Sequence, residues 1–103
     1  MSMIFNILEE EGERLKELEV RYERELSELP KGTLSRKRRW NKEYFYLAYR
    51  KSDRVKFDYI GPVGSERVHL VEKKLIERKE IEGKLALVRK NLKDVERGLR
   101  GRR

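Results

Sequence analysis

Along the first 30 positions, Met1, Ile4, Leu8, Leu15, Leu18, Tyr22 and Leu29 recur in alternating steps of three and four, with Glu11 and Glu25 at the remaining seam positions. This is the a/d spacing of a helix that buries one narrow stripe against another helix. The pattern predicts a helix over residues 3–29. Ser2 or Asn6 is its candidate cap, Asn6 with Glu9 three residues on, and Pro30 with Gly32 stops it.

A second helical pattern follows Gly61-Pro62-Val63-Gly64-Ser65, where Ser65 is the candidate N-cap, and runs without proline to Gly98. The predicted helix spans 65–98 and leaves a basic tail at 99–103. Its stripe has two registers. Val68, Val71 and Leu75 form one, while Ile81, Leu85, Val88, Leu92, Val95 and Leu99 form the other. The break near Arg78 predicts a change of packing partner.

Between the helices the period changes to two. Gly32-Thr33 opens a run to Trp40, Asn41-Lys42 is turn-like, and Glu43 to Arg50 is rich in tyrosine. Ser52-Asp53 forms a second turn, and Val55 to Ile60 closes before Gly61. Aromatic and β-branched residues between turn formers predict three antiparallel strands in a meander over residues 32–61. So small a sheet needs a cover on one face, and Val68, Val71 and Leu75 can supply it.

The fold expected is therefore α+β, a single domain over 1–103. A long N-terminal helix, a three-stranded antiparallel β-meander and a long C-terminal helix follow one another, and the two helices form an antiparallel coiled coil. Pairing of the same stripes between two chains stays open. The sheet face beneath the helix depends on the loop at Ser52. A three-residue loop puts Val55, Phe57 and Tyr59 with Phe45 and Leu47, and a two-residue turn puts them with Tyr44 and Tyr46. We expect the former, which leaves Lys37, Arg39, Tyr44, Tyr46, Arg50 and Lys56 on the open face.

Charge divides the 103 residues in the same way. Residues 1–30 hold four Lys/Arg against nine Glu, a net −5. Residues 31–60 hold ten against three acids, a net +7, and residues 61–103 hold thirteen against seven, a net +6, which gives +8 overall. An acidic first helix opposite a basic last one fits their pairing, and the basic middle favours a polyanionic partner. Gln is absent and Glu, Lys and Arg make up most of the polar inventory, a bias of hyperthermophile proteins that long helices also favour.

The same inventory bounds the chemistry. There is no Cys and His69 is the single histidine, so disulfides, thiolate chemistry and a zinc set are excluded. The three Asp, at 53, 58 and 94, are scattered and no glycine-rich phosphate loop occurs, so no enzyme, cofactor or small-molecule substrate is expected. No run is long and apolar enough to span a bilayer. The start, Met1 to Asn6, lacks the basic region of a signal peptide, so the expected location is cytoplasmic, away from membranes.

What remains is a binding surface. Arg36-Lys37-Arg38-Arg39-Trp40-Asn41-Lys42 is the densest basic cluster in the chain, and strand alternation sends its charges to both faces and the edges of the sheet. Basic side chains that neutralise phosphates, beside Tyr44 and Tyr46 for base edges or stacking, are the equipment of nucleic-acid binding. The candidate contacts are Arg36, Lys37, Arg38, Arg39, Lys42, Tyr44, Tyr46, Arg50, Lys51, Arg54 and Lys56. Half-buried strand-forming tyrosines and a merely solvated basic face are the plainer reading of the same residues. Trp40 serves equally well as an anchor of the first turn or as a ligand contact.

The order Gly32-Thr33-Leu34, Tyr44-Phe45-Tyr46-Leu47-Ala48-Tyr49-Arg50 and Val55-Lys56-Phe57-Asp58-Tyr59-Ile60-Gly61, then a charged helix, resembles a group of small bacterial and archaeal proteins. These carry a Tyr-rich hairpin ending in Tyr-Ile-Gly and often accompany mobile elements. Over about residues 32–80 the order of three strands then a helix is also similar to the arm-type DNA-binding domain of tyrosine recombinases. That resemblance implies DNA contact through the uncovered sheet face, at Lys37, Arg39, Tyr44, Tyr46 and Arg50. The acidic first helix departs from the recombinase pattern, and no recombinase catalytic set is present. The expected function is a non-enzymatic nucleic-acid-binding accessory protein of an archaeal plasmid, virus or integrated element. DNA is favoured over RNA, and the coiled coil acts as stalk or homodimer handle. The alternative is a protein–protein adaptor that uses the coiled coil or a sheet edge.

Overall fold

The computed structural model describes residues 3–101. Met1 of the first stripe, the candidate cap Ser2 and the tail residues Arg102 and Arg103 lie outside the described residues. The chain forms helix α1 (Met3–Ser27), strands β1 (Thr33–Arg39), β2 (Lys42–Lys51) and β3 (Arg54–Pro62), and helix α2 (Glu66–Arg100). The strands make one antiparallel sheet in the order β1-β2-β3, so the α+β meander between two long helices is as the sequence predicts. Two compact units result. One joins the chain up to Glu28 with the chain from Glu80, and the other is Leu29–Lys79.

In the first unit, α1 lies antiparallel to the C-terminal part of α2. Leu15, only 2% exposed, packs with Val88, Leu92 and Val95, and Leu8, Leu18, Tyr22 and Leu99 close around them. Arg89 joins the acidic helix to the basic one, its Nε 3.2 Å from Glu19 Oε2 and its Nη2 3.0 Å from Glu23 Oε1. Such exposed pairs contribute about 0.2–1 kcal/mol each, so the apolar stripe holds the helices together and the charges favour this pairing.

Three expectations for α1 are corrected. Glu11 is not at the seam: Gly12 is, buried, where an added Cβ would stand 3.4 Å from Val95 Cγ1, while Glu11 pairs with Arg14 at 2.6 Å. With 3.6 residues per turn, the step from Leu8 to Leu15 passes through Gly12 rather than Glu11. Asn6 does not cap the helix, because α1 is already running at Met3. Ile4, placed on the stripe, is 67% exposed.

In the second unit the early part of α2 covers the sheet. The Ser65 hydroxyl accepts the Val68 N–H at 3.3 Å, the predicted cap, and so aims Val68, 3% exposed, at Leu47 and Ile60. Leu34, Phe45, Tyr49, Val71 and Leu75 complete this second core. The register break does mark the change of partner: Val68, Val71 and Leu75 serve the sheet, while Val88, Leu92 and Val95 serve α1. At the break, Arg78 donates from Nη1 to the Leu29 carbonyl, 3.2 Å away.

The covered side of β2 is the expected one, with Phe45, Leu47 and Tyr49 under α2, but β3 does not face as expected. Lys51 pairs with Arg54 across a two-residue turn, Ser52-Asp53, whose φ angles of 50° and 66° are both left-handed. This is the type I′ geometry, whose twist matches the flanking strands, and it displaces the three-residue loop we expected. The one-residue difference inverts β3. Phe57 lies opposite Ala48 and Tyr59 opposite Tyr46, so both join the tyrosine face, while Lys56, opposite Tyr49, leaves it. The first turn is Trp40-Asn41 rather than Asn41-Lys42, since Arg39 pairs with Lys42.

Two glycines seat the sheet. Gly32, at φ 134°, lies so close to β2 that a Cβ would overlap the Ala48 carbonyl oxygen. A bulge at Phe45/Tyr46 then makes Gly61, rather than Ile60, the partner of Phe45. This brings Gly61 against the cap, where a Cβ would lie 2.8 Å from Ser65 Oγ.

Candidate nucleic-acid interface

Strand alternation and the observed register together define the open face. Thr33, Ser35, Lys37 and Arg39 come from β1, Lys42, Tyr44, Tyr46, Ala48 and Arg50 from β2, and Val55, Phe57 and Tyr59 from β3. Four cations stand there and no acid. The three acids of the basic middle segment lie elsewhere. Glu43 pairs with Arg36 at 3.4 Å, Asp58 accepts the Tyr49 hydroxyl at 3.4 Å on the covered side, and Asp53 occupies the second turn. Arg39, Lys42 and Arg50 take part in no ion pair seen among the described residues.

The aromatic rings form a connected patch. Tyr59 stands 6.0 Å from Tyr44 and 5.5 Å from Tyr46, the second pair edge to face. Lys37 crosses β2 above this patch, with its Nζ 5.3 Å from the Tyr46 ring centre and 4.0 Å from that of Phe57. Its ammonium thus lies over ring faces. At the end of the patch nearest the first turn, Arg38, Arg39, Trp40, Tyr44, Tyr46 and Tyr59 line an open groove of about 880 Å³.

Of the predicted contacts, Lys37, Arg39, Lys42, Tyr44, Tyr46 and Arg50 are brought together on this face. Arg36, Arg38, Lys51, Arg54 and Lys56 belong to the opposite side by alternation. Arg36 is engaged there, its guanidinium 5.3 Å from the Phe45 ring centre and paired with Glu43. Arg38 still reaches the groove at the β1 edge, whereas Lys51, Arg54 and Lys56 are exposed beyond it.

Tyr59 and Phe57 are the members that sequence reasoning missed, and the signal for them was Ser-Asp read as a two-residue turn. Trp40, 96% exposed, does not anchor the turn against the core. His69 is an exposed residue on α2. Among the described residues no three His, Cys, Asp or Glu side chains gather to hold a metal ion, and no helix is long and apolar enough to cross a membrane.

Residues 8–69 match the model of a family described as a domain of unknown function (DUF6788), a stretch that takes in most of α1, the whole sheet and the start of α2. No curated protein and no solved structure matches the chain.

Proposed function

We propose that this chain, which belongs to the DUF6788 family, is a non-enzymatic nucleic-acid-binding accessory protein that grips DNA with the open face of its sheet. The observation that carries this reading is the sorting of charge. Lys37, Arg39, Lys42 and Arg50 surround a patch of tyrosines on one face, while the acids of the same segment lie off it. Cations spaced along a pleated surface neutralise phosphates, and exposed rings between them meet bases. The preference for DNA over RNA rests on the likeness of the three strands and helix to arm-type DNA-binding domains. The helical pair is the handle for a second copy or another protein.

A second reading has an observation in its favour. Val55 and Phe57 on the edge strand β3 are 52% and 47% exposed, an apolar edge that suits a protein partner. The two readings part on one experiment, binding of fluorescent DNA by the chain and by the triple variant Arg39→Ala, Lys42→Ala, Arg50→Ala. The DNA reading predicts a loss of at least tenfold with the melting temperature nearly unchanged, because the three side chains are exposed. Equal affinity of the two proteins, or no affinity in either, rejects it in favour of the adaptor.

A further inference from the structure

Trp40 is the sole tryptophan, occupies the tip of the β1–β2 hairpin and is 96% exposed. Its φ is 57°, in the left-handed region where a bulky residue is strained and where glycine fits without penalty. Folding therefore gains nothing from an indole at this position. Its ring contributes to no core, and its backbone opposes the turn it occupies. Both costs are offset only when something covers the ring.

What surrounds the ring indicates the cover. Trp40 shares the 880 Å³ groove with Tyr44, Tyr46, Tyr59 and two arginines, Arg38 and Arg39. A second, smaller hollow of about 370 Å³ joins it to Asn41, Lys42 and Tyr44. Flat ring faces flanked by cations, with no acid in either lining, suit a flat ring that carries a phosphate. In an intact duplex the base faces are already stacked on one another and present only their edges. An indole at a hairpin tip finds a base face only where a base is unpaired.

We propose that the Trp40 tip and the tyrosine groove behind it form a stacking site for an unpaired nucleobase, so that the DNA bound by this face carries a single-stranded segment. The proposal rests on the DNA-binding reading above and names the substrate class of the same site. Arg39 and Lys42 hold the phosphates on either side of the stacked base. Tyr44, Tyr46 and Tyr59 continue the platform along the sheet.

The sole tryptophan makes its own probe. Fluorescence is recorded while the chain is titrated with oligothymidylate, with a blunt-ended linear duplex and with inorganic polyphosphate, and affinities are measured in parallel for Trp40→Gly. Glycine suits the left-handed tip, so this variant folds at least as well as the parent. Stacking on an aromatic ring predicts quenching by oligothymidylate and not by polyphosphate, and a loss of about 10- to 100-fold in oligothymidylate affinity for Trp40→Gly. Its duplex affinity should change less than twofold. Binding of oligothymidylate with unaltered emission, or with equal affinity in Trp40→Gly, overturns the stacking site and leaves the DNA-binding reading intact. If none of the three polymers binds, both fail.

Discussion

Lys37 reaches from one edge strand to the other, its Nζ 4.0 Å from the centre of the Phe57 ring on β3 and 5.3 Å from that of Tyr46 on β2. It has a structural task in addition to its charge, which separates it from Arg39, Lys42 and Arg50. Lys37→Ala should lower stability by about 0.5–1 kcal/mol, the worth of an exposed cation–π contact, and should weaken DNA binding as well. Lys37→Arg should keep most of both. Urea midpoints of the two variants check this, and an unchanged midpoint for Lys37→Ala would show that the ring contacts contribute nothing.

The helical pair depends on Leu15, which at 2% exposure is the most enclosed side chain of its cluster. Leu15→Ala should cost about 2–5 kcal/mol, the range for a buried leucine that leaves a cavity. Ile4→Ala, at a position 67% exposed, should stay within about 0.5 kcal/mol. Chemical denaturation of the two variants gives the comparison, and equal losses would place Ile4 in an interface.

Gly32→Ala tests the entry to the sheet. At φ 134° the substitution is strained whatever the space, and the new Cβ also meets the Ala48 carbonyl oxygen. A destabilisation of about 1–3 kcal/mol is expected, read as a lower melting temperature. A neutral substitution would mean that β1 enters along another path.

Tyr49 links the sheet to pH. Desolvation, and then the hydrogen bond its hydroxyl donates to Asp58, raises its pKa above the ordinary 10.0. The fold therefore favours the neutral phenol. This contribution is fully present below about pH 10 and is lost as the pH rises through the folded-state value. Stability should decline with a smaller slope above pH 10 in Tyr49→Phe than in the parent, as measured by denaturation at a series of alkaline pH values. Identical slopes would show that the phenol ionises equally in both states.

Much of this architecture was legible from spacing alone. The a/d steps of Leu8, Leu15 and Leu18, the opposing stripe from Val88 to Leu99 and the break near Arg78 each match a packing partner, because burial on a long helix follows its period. Seam position 11 failed because a glycine, silent in a hydrophobic pattern, occupies the close approach beside it. The covered side of β2 was read correctly, and the facing of β3 failed on a single residue of loop length. Ser52-Asp53 is an uncommon type I′ pair, and an all-apolar buried face looked better than one that leaves Phe57 outside. The position of Lys37 above Phe57 is what sequence could not supply. It shields an aromatic ring that hydrophobicity alone would have buried. Trp40 was visible as a residue, but its left-handed backbone depends on where the turn begins, which the register decides.

The salt dependence of DNA binding bears most directly on the claim that four cations of the open face neutralise phosphates. The logarithm of the affinity should fall linearly with the logarithm of salt concentration, at a slope of about −3 to −4 for about four phosphates. In the triple variant lacking Arg39, Lys42 and Arg50 the slope should shrink by about 2 to 3. An affinity indifferent to salt, or a slope that the variant leaves unchanged, would contradict the account.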